Sequence, residues 1–271
     1  DNGQLHDTST PAWSGQAYAQ PTGFFVSQVF ESEGTYDAHL TVVTSRYNRQ
    51  GQPQEQSCLF SGNVARITVD PWPASTATYY VSSTHANRNN NGPGTSPNEP
   101  LETIREAVRR ISRPFTRILF RSGDEFPIDF QIDLSYVRGP LLISSYDDPS
   151  AGKPVLIAST RGQFLSGFSV QLTGCHDVRI AQIAIRDTGI MDQQSPEYVK
   201  DAFFSGGNNR LVLFYGADVY DTGRFYTTQP TDRSTVTDRC YLKALAAYTF
   251  FCDSPYDFSI TRCSFEGKPI N

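Results

Sequence analysis

Two stretches, VRIAQIAIRDTG at residues 178–189 and VLFYGADVYDTG at residues 212–223, decide the fold. In both, the apolar residues are spaced by two, three and two positions, and each stretch ends in Asp-Thr-Gly. A flat strand would lose its side-chain phase at the step of three, because successive side chains of a strand point to opposite faces. The pattern therefore predicts two short strands joined by a corner, with both apolar pairs turned to one interior.

The same spacing returns twice towards the C-terminus. FSITRCSF at residues 258–265 lies 46 positions after the second stretch, and TVTDRCYL at residues 235–242 divides that step into two steps of 23. Repetition at a fixed phase is typical of coils in which each rung stacks on the one before. The step of 34 between the first two stretches indicates a loop insertion, which we place within residues 191–209. The alignment predicts one interior ladder, with its two cysteines as buried free thiols: Ile183, Ala217, Cys240 and Cys263.

A polar loop and a short helix precede the repeat. Residues 85–99, HANRNNNGPGTSPNE, are too polar and too rich in turn residues to form an element. The segment that follows predicts a helix over about residues 100–112, beginning at Pro100. Its apolar stripe comprises Leu101, Ile104, Val108 and Ile111, and its outward residues are Arg105, Arg109 and Arg110.

The order of these segments resembles the N-terminal opening of right-handed parallel β-helix proteins of the pectate-lyase-like superfamily. The resemblance covers residues 79–126: a strand, the loop GPGTSPNEP, the helix TIREAV and the strand RILFRSGDEF. In those proteins a short amphipathic helix plugs the open end of the coil. The resemblance implies an all-β parallel β-helix and a polysaccharide-active or surface protein, since enzymes and adhesins share this opening.

The N-terminal region predicts a second kind of β structure. FFVSQVFESEGTYDAHLTVV at residues 24–43 and SGNVARITVDPWP at residues 61–73 alternate apolar and polar positions, which favours three strands of an antiparallel sandwich. The pattern from Phe30 to Val42, followed by ARITV, resembles the second half of an immunoglobulin-like domain of the polycystic-kidney-disease (PKD) type. An irregular β arm belonging to one single domain is the alternative.

These resemblances imply a domain organisation. We expect an incomplete PKD-type, immunoglobulin-like sandwich over residues 1–75 and the first rungs of a parallel β-helix over residues 76–271, joined by the linker DPWPAST at residues 70–76. The front of the sandwich would be missing, and the coil would continue beyond Asn271. We therefore expect a segment of a longer extracellular or cell-surface polypeptide, with neighbouring domains as partners.

Composition narrows the classes of partner. The formal net charge is -5, from 23 Lys and Arg against 28 Asp and Glu, which gives no reason to expect nucleic acid or an anionic membrane. No stretch reaches the roughly 18 apolar residues of a membrane-spanning helix. The five cysteines are an odd number, so at least one thiol is free or paired between chains. The four histidines lack zinc-ligand spacing.

Residues between the inward positions of the repeat face solvent and form two neighbouring rows, which we call the exterior strip. One row is Arg186, Tyr220, Lys243 and Glu266, and the other is Ala184, Asp218, Tyr241 and Ser264. β-helix proteins that act on polysaccharides place the substrate across such a face. The resemblance therefore implies Lys243 or Tyr241 as base and Arg186 or Arg239 as the group that neutralises a uronate. Substrate contacts would come from Tyr220, Asp218 and Glu266; a mixed solvated face is the alternative.

The repeated Asp-Thr-Gly resembles the paired motif of aspartic proteases. A separation of 34 residues cannot build a protease lobe, so a turn that closes each rung fits better. Stacked in neighbouring rungs, Asp187 and Asp221 could hold a hard cation such as Ca²⁺.

These observations lead to two functional hypotheses. The first is a secreted polysaccharide lyase or glycoside hydrolase that acts on an acidic polysaccharide. The second is a non-catalytic surface, adhesive or structural module with a carbohydrate-binding β-helix. The specific motifs of pectate lyases and polygalacturonases are absent from the sequence. We assign no role to His85 or to Asp124 and Glu125, and His176 is interpreted as structural.

Overall fold

The computed structural model describes residues 33–48, 50, 53–128, 130–158, 168–187, 201–222, 224–244, 250–252, 256–261 and 263–267. The chain divides into two compact units, with the boundary between Trp72 and Pro73, inside the predicted linker. The predictions made for residues 1–32 lie outside the described residues.

In its described part, the first unit is an antiparallel hairpin of two long strands, β1 (Gly34–Tyr47) and β2 (Pro53–Val69). The strands are rich in Thr, Val and aromatic residues, which favour extended pairing. Arg66 Nε lies 2.8 Å from Asp37 Oδ1 and joins the two strands on an exposed face. An immunoglobulin-like sandwich needs further strands, so the PKD-type domain stays a prediction.

The second unit is a coil of parallel strands arranged in three sheets. The first sheet contains β3 (Ala77–Val81), β4 (Thr116–Arg121), β7 (Arg138–Tyr146), β10 (His176–Ala181), β13 (Arg210–Tyr215), β16 (Arg233–Asp238) and β19 (Tyr256–Thr261). The second contains β5 (Glu125–Ile128), β8 (Val155–Ala158), β11 (Ala184–Asp187), β14 (Asp218–Thr222), β17 (Tyr241–Ala244) and β20 (Ser264–Gly267). The third contains β6 (Ile132–Asp133), β9 (Phe168–Thr173), β12 (Asp201–Gly207), β15 (Arg224–Thr228) and β18 (Phe250–Cys252).

This arrangement is a parallel β-helix, as predicted. The strand register also confirms the alignment of the repeat: Val178 pairs with Val212, Val212 with Thr235 and Thr235 with Phe258. Along β10 and β13, buried inward residues alternate with partly exposed outward ones, so these rungs close over an apolar interior. The right-handed sense of the coil stays a prediction.

The third sheet is absent from the sequence prediction, which has two strands for each rung. Residues 201–207 are not part of a loop insertion, because they form β12 and pair with β9 and β15. Phe203 and Ser205 of this strand are buried. Thirteen residues, 188–200, separate β11 from β12, whereas one residue separates β14 from β15. The additional length of that rung therefore lies before β12.

Cys240 and Cys263 occupy equivalent positions on neighbouring rungs, as the ladder predicts. Tyr241 N donates to Ala217 O at 3.1 Å, and Ser264 N donates to Cys240 O at 2.9 Å. Neither thiol forms a disulfide; Cys240 is buried and Cys263 is half-buried. A hydrogen bond with Cys263, together with burial, raises the pKa of the Cys240 thiol. The prediction of a buried free thiol is confirmed for Cys240, while Cys263 retains partial exposure.

The helix α1 (Ile104–Arg109) is shorter than predicted and begins four residues after Pro100. Thr103 is the N-cap, and its Oγ1 accepts a hydrogen bond from Glu106 N at 3.3 Å. Leu101 is not helical, because its N–H donates to Tyr80 O at 2.8 Å and extends the sheet. The expected helical start is therefore used for strand pairing.

The polar loop is joined to the start of this helix by side-chain hydrogen bonds. Asn90 Oδ1 accepts from Glu102 N at 3.0 Å and from Thr103 N at 3.1 Å. Arg110 does not point into solvent as predicted, because its guanidinium donates to Asn90 O at 3.0 Å and also to Pro93 O. These bonds hold the loop against the helix.

One face of the helix meets the interior of the coil. Ile104 and Ala107 are buried, and Ile104 and Val108 border the same apolar space as Ile118 and Phe120. The role of this helix as a plug over the open end of the coil stays a prediction. In the described part of the chain, no helix has the length and apolar character needed to span a bilayer.

Candidate functional site

The exterior strip has the register that the repeat predicts. Arg186 pairs with Tyr220, Tyr220 with Lys243 and Lys243 with Glu266, while Ala184 pairs with Asp218 and Asp218 with Tyr241. Adjacent strands lie about 4.8 Å apart, so neighbouring residues of one row are within side-chain reach. The second sheet thus places Arg186, Asp218, Tyr220, Tyr241, Lys243 and Glu266 in register on neighbouring strands.

Lys153 completes an ion pair at this face. It precedes β8, and its Nζ lies 2.6 Å from Asp218 Oδ1, two strands away. The intervening strand carries the small residue Ala184 beside Asp218. The Lys153 side chain is 30% exposed and that of Asp218 is 16% exposed, so the pair is only partly screened by solvent.

Tyr220 shares the carboxylate of Asp218. Its hydroxyl donates to Asp218 Oδ2 at 3.1 Å. Burial and the neighbouring Asp218 carboxylate raise the pKa of Tyr220 to about 12. The phenol is therefore protonated at neutral pH and acts as a hydrogen-bond donor.

Two aromatic rings lie side by side in the strip. The ring centroids of Tyr220 and Tyr241 are 5.5 Å apart, with an angle of 47° between the ring planes. The Tyr241 hydroxyl bonds to Glu266 Oε2 on the next strand. Each ring is thus oriented by a carboxylate, Asp218 for Tyr220 and Glu266 for Tyr241, and together the rings form a platform.

Two arginines that the resemblance implies as neutralising groups have partners within the protein. Arg186 Nη2 donates to Glu125 Oε1 at 2.9 Å, and Glu125 is a residue to which the sequence assigns no role. Arg239 Nη1 donates to the hydroxyl of Tyr215, a residue of the first sheet. Their proposed roles in substrate neutralisation stay predictions.

The remaining predicted site residues are described only by their backbones. Lys243 lies in β17 between Tyr220 and Glu266, but its side chain is outside the described residues, as are those of Asp187 and Asp221. Asp187 ends β11, and Asp221 lies in β14. Among the residues described, no group of three or more His, Cys, Asp or Glu side chains could hold a metal ion. The Ca²⁺ site stays a prediction.

Two charged residues bond to residues of the exterior strip but are not supplied by the sequence repeat, Lys153 and Glu125. Both lie before or at the start of strands of the second sheet, in rungs that precede the detected repeat. An extension of the alignment from Ala184 back to Val155 and Glu125, which the register shows to be paired, would have placed them.

No protein-family model matches the chain, and no curated protein matches it. Several solved structures are similar. A lacto-N-biosidase of the GH136 class from Eubacterium ramulus has a TM-score of 0.51 and 14% identity, over 69% of this chain and 41% of that one. A rhamnogalacturonan lyase has a TM-score of 0.49 and 10% identity, over 70% and 53% of the two chains. A pectin methylesterase in complex with a hexasaccharide has a TM-score of 0.42 and 14% identity, over 72% and 68%.

The likeness to the lacto-N-biosidase identifies the fold. The second unit of the chain is a parallel β-helix, in agreement with its three parallel sheets. The chain spans 41% of the length of that relative. At 14% identity the likeness concerns the fold alone, so the activity has to be argued from the strip itself.

Proposed function

We propose that the protein is a secreted or cell-surface carbohydrate-active enzyme, a glycoside hydrolase or a polysaccharide lyase, whose substrate lies along the exterior strip. The observation that supports this proposal is the Tyr220–Tyr241 ring pair between the carboxylates of Asp218 and Glu266. Tyrosine presents an apolar ring and a polar tip, and sugars combine an apolar C–H face with hydroxyl groups. A row of such groups along stacked strands suits an extended polymer.

Hydrolysis is the reaction that the described side chains favour. Glycoside hydrolases use two carboxyl groups that flank the scissile bond, one of them as a general acid. Asp218 and Glu266 lie on β14 and β20 with one strand between them, so their strands are about 9.6 Å apart. Their side chains can therefore lie on either side of a sugar unit that rests on the rings.

Elimination by a lyase requires a cation to neutralise the uronate and a base to remove the C5 proton. Lys153 and Arg186 each bond to a carboxylate of the protein. Elimination would therefore compete with these ion pairs for its neutralising cation. Lys243 stays our predicted base for that reaction, with Tyr241 as the alternative.

The test is a panel of neutral and acidic polysaccharides incubated with the protein. New reducing ends without unsaturated product would support hydrolysis, and ultraviolet absorbance of unsaturated ends would support elimination. We expect Asp218→Asn and Glu266→Gln each to lower the rate by about 10²-fold or more, as loss of a general acid or base does. Asp147→Asn is the matched control for Asp218→Asn, because Asp147 also pairs with a cation, Arg121, at 2.9 Å but lies outside the strip.

A non-catalytic carbohydrate-binding module is the second candidate, because the ring platform alone can hold a sugar chain. It predicts binding that depends on Tyr241 without any product. If no polymer is bound and none yields product, both candidates are contradicted.

A further inference from the structure

The charges of the second sheet point to the class of polymer, and the argument rests on the function proposed above. The charged side chains that the structure describes on this face are three acidic and two basic ones, Glu125, Asp218 and Glu266 against Lys153 and Arg186. Lys243 also belongs to the exterior strip, and Asp187 and Asp221 belong to the same strands, but the side chains of these three lie outside the described residues.

The described cations of this face are already engaged. Lys153 lies 2.6 Å from Asp218, and Arg186 lies 2.9 Å from Glu125. A polyuronate that approached either cation would also meet the protein carboxylate paired with it. It would also bring further negative charge beside Glu266, which is exposed. Like charges in contact disfavour a partner strongly, so this face selects against polyanions.

The same groups suit hydroxyl-rich, uncharged sugars. The Asp218 and Glu266 carboxylates can accept hydrogen bonds from sugar hydroxyls, and the Lys153 ammonium can donate them. The rings of Tyr220 and Tyr241 offer apolar surface without charge. We infer that the polymer bound by the exterior strip is an uncharged glycan, contrary to the acidic polysaccharide expected from the sequence.

The experiment measures binding and cleavage for neutral polymers (laminarin, xyloglucan, galactomannan) and acidic ones (polygalacturonate, alginate). Polygalacturonate is also compared with its fully methyl-esterified form, which has the same backbone without the charge. Every polymer is tested at about 0.01 and about 1 M salt, where the screening length falls from about 30 to about 3 Å, and with either EDTA or Ca²⁺.

We expect binding of at least one neutral polymer, little dependence on salt, and a loss of at least tenfold in affinity for Tyr241→Ala. Acidic polymers should not bind at low salt. Glu125→Gln should make binding of polygalacturonate detectable, because it releases Arg186. Glu102→Gln is the matched control, since Glu102 pairs with Arg88 at 3.6 Å away from the second sheet.

The outcomes separate the inference from the proposed function. Binding of an acidic polymer that requires Tyr241 would overturn the inference and leave the proposed function standing. Binding of an acidic polymer only with Ca²⁺ would also overturn it, in favour of a cation bridging the acidic face. Absence of any polymer binding would contradict the inference and the proposed function together.

Discussion

Lys153 and Asp218 form an ion pair of 2.6 Å across two strand spacings of the second sheet. The strand between them carries Ala184, which is 3% exposed. The two residues are 65 positions apart in the sequence, and they meet because each rung of the coil returns the chain to the same face. The pair therefore exists only if the rungs are stacked in register, and it orients the carboxylate that we place next to the substrate.

Replacement of Lys153 tests this positioning role. We expect Lys153→Met to lower kcat/KM on the cleaved polymer about tenfold, mainly through kcat, because Asp218 loses the partner that orients it. Lys153→Arg should restore part of the loss. The cost in free energy of unfolding should be about 1 kcal/mol, as for a partly exposed ion pair. Equal losses for Met and Arg would contradict a role through charge.

Two substitutions of Tyr241 distinguish the contribution of its ring to binding from that of its hydroxyl. Tyr241→Phe keeps the contact with Tyr220 and removes the bond to Glu266, whereas Tyr241→Ala removes both. We expect binding to fall at least tenfold for Ala, about 1.4 kcal/mol, and less than threefold for Phe. Isothermal titration with the bound polymer measures both. Similar losses for both variants would show that the hydroxyl, and not the ring, makes the contact.

Tyr220 predicts a loss of stability in alkali. Burial and the Asp218 carboxylate raise its pKa to about 12, whereas an unfolded tyrosine has a pKa of about 10. The folded state therefore retains the proton longer, and this contribution to stability is complete below pH of about 10 and is lost as the pH rises towards 12. Urea unfolding at pH 8 and 11 should show a smaller difference for Tyr220→Phe than for the native protein. An unchanged difference would show that other groups, such as Tyr146, account for the alkaline loss.

The sequence predicts the strip and the interior because their residues recur at a fixed phase. The steps of 23 and 34 positions place Tyr220 beside Arg186 and Lys243, as the strand register shows. The third sheet lacks this signal, because 13, one and five residues precede β12, β15 and β18 after the second-sheet strand of each rung. Variable connections remove the constant phase on which the prediction depends.

The ion pairs of the site could not be predicted in the same way. Arg186 bonds to Glu125 across two strand spacings and 61 positions of sequence, and the repeat alone does not indicate which of the neighbouring carboxylates an arginine will reach. The predicted helix start is wrong for a related reason: Leu101 fits the apolar stripe of the helix, but its pairing with Tyr80 of the neighbouring strand is a tertiary contact that prevails.

Cys175 should be protected from alkylation in the folded protein. It is 1% exposed, and burial raises the pKa of its thiol to about 11. The thiolate is the reactive form, so at pH 8 we expect iodoacetamide to modify native Cys175 at least about 100-fold more slowly than the unfolded chain. Peptide mass spectrometry separates the cysteines, and half-buried Cys263 should react faster. Equal rates for Cys175 in the folded and unfolded chain would contradict its burial.

Asp124 anchors the chain between the first strand of the coil and the polar loop. It is 5% exposed, and its carboxylate accepts from Ser82 Oγ at 2.6 Å, Ser83 N at 2.8 Å and Thr84 Oγ1 at 2.6 Å. Although burial alone would raise it, these hydrogen bonds hold the pKa of Asp124 below its usual range. Hydrogen bonds to a buried charge contribute about 1.5–3 kcal/mol each, so we expect Asp124→Asn to lower the free energy of unfolding by about 2–3 kcal/mol. The exposed Asp70 supplies the control, Asp70→Asn, with a change below about 0.5 kcal/mol.

The stability difference between Asp124→Asn and the native protein should shrink as the pH falls below about 4, because protonation removes the carboxylate in both the folded and the unfolded native chain. A difference that stays constant with pH would show that the charge is not responsible.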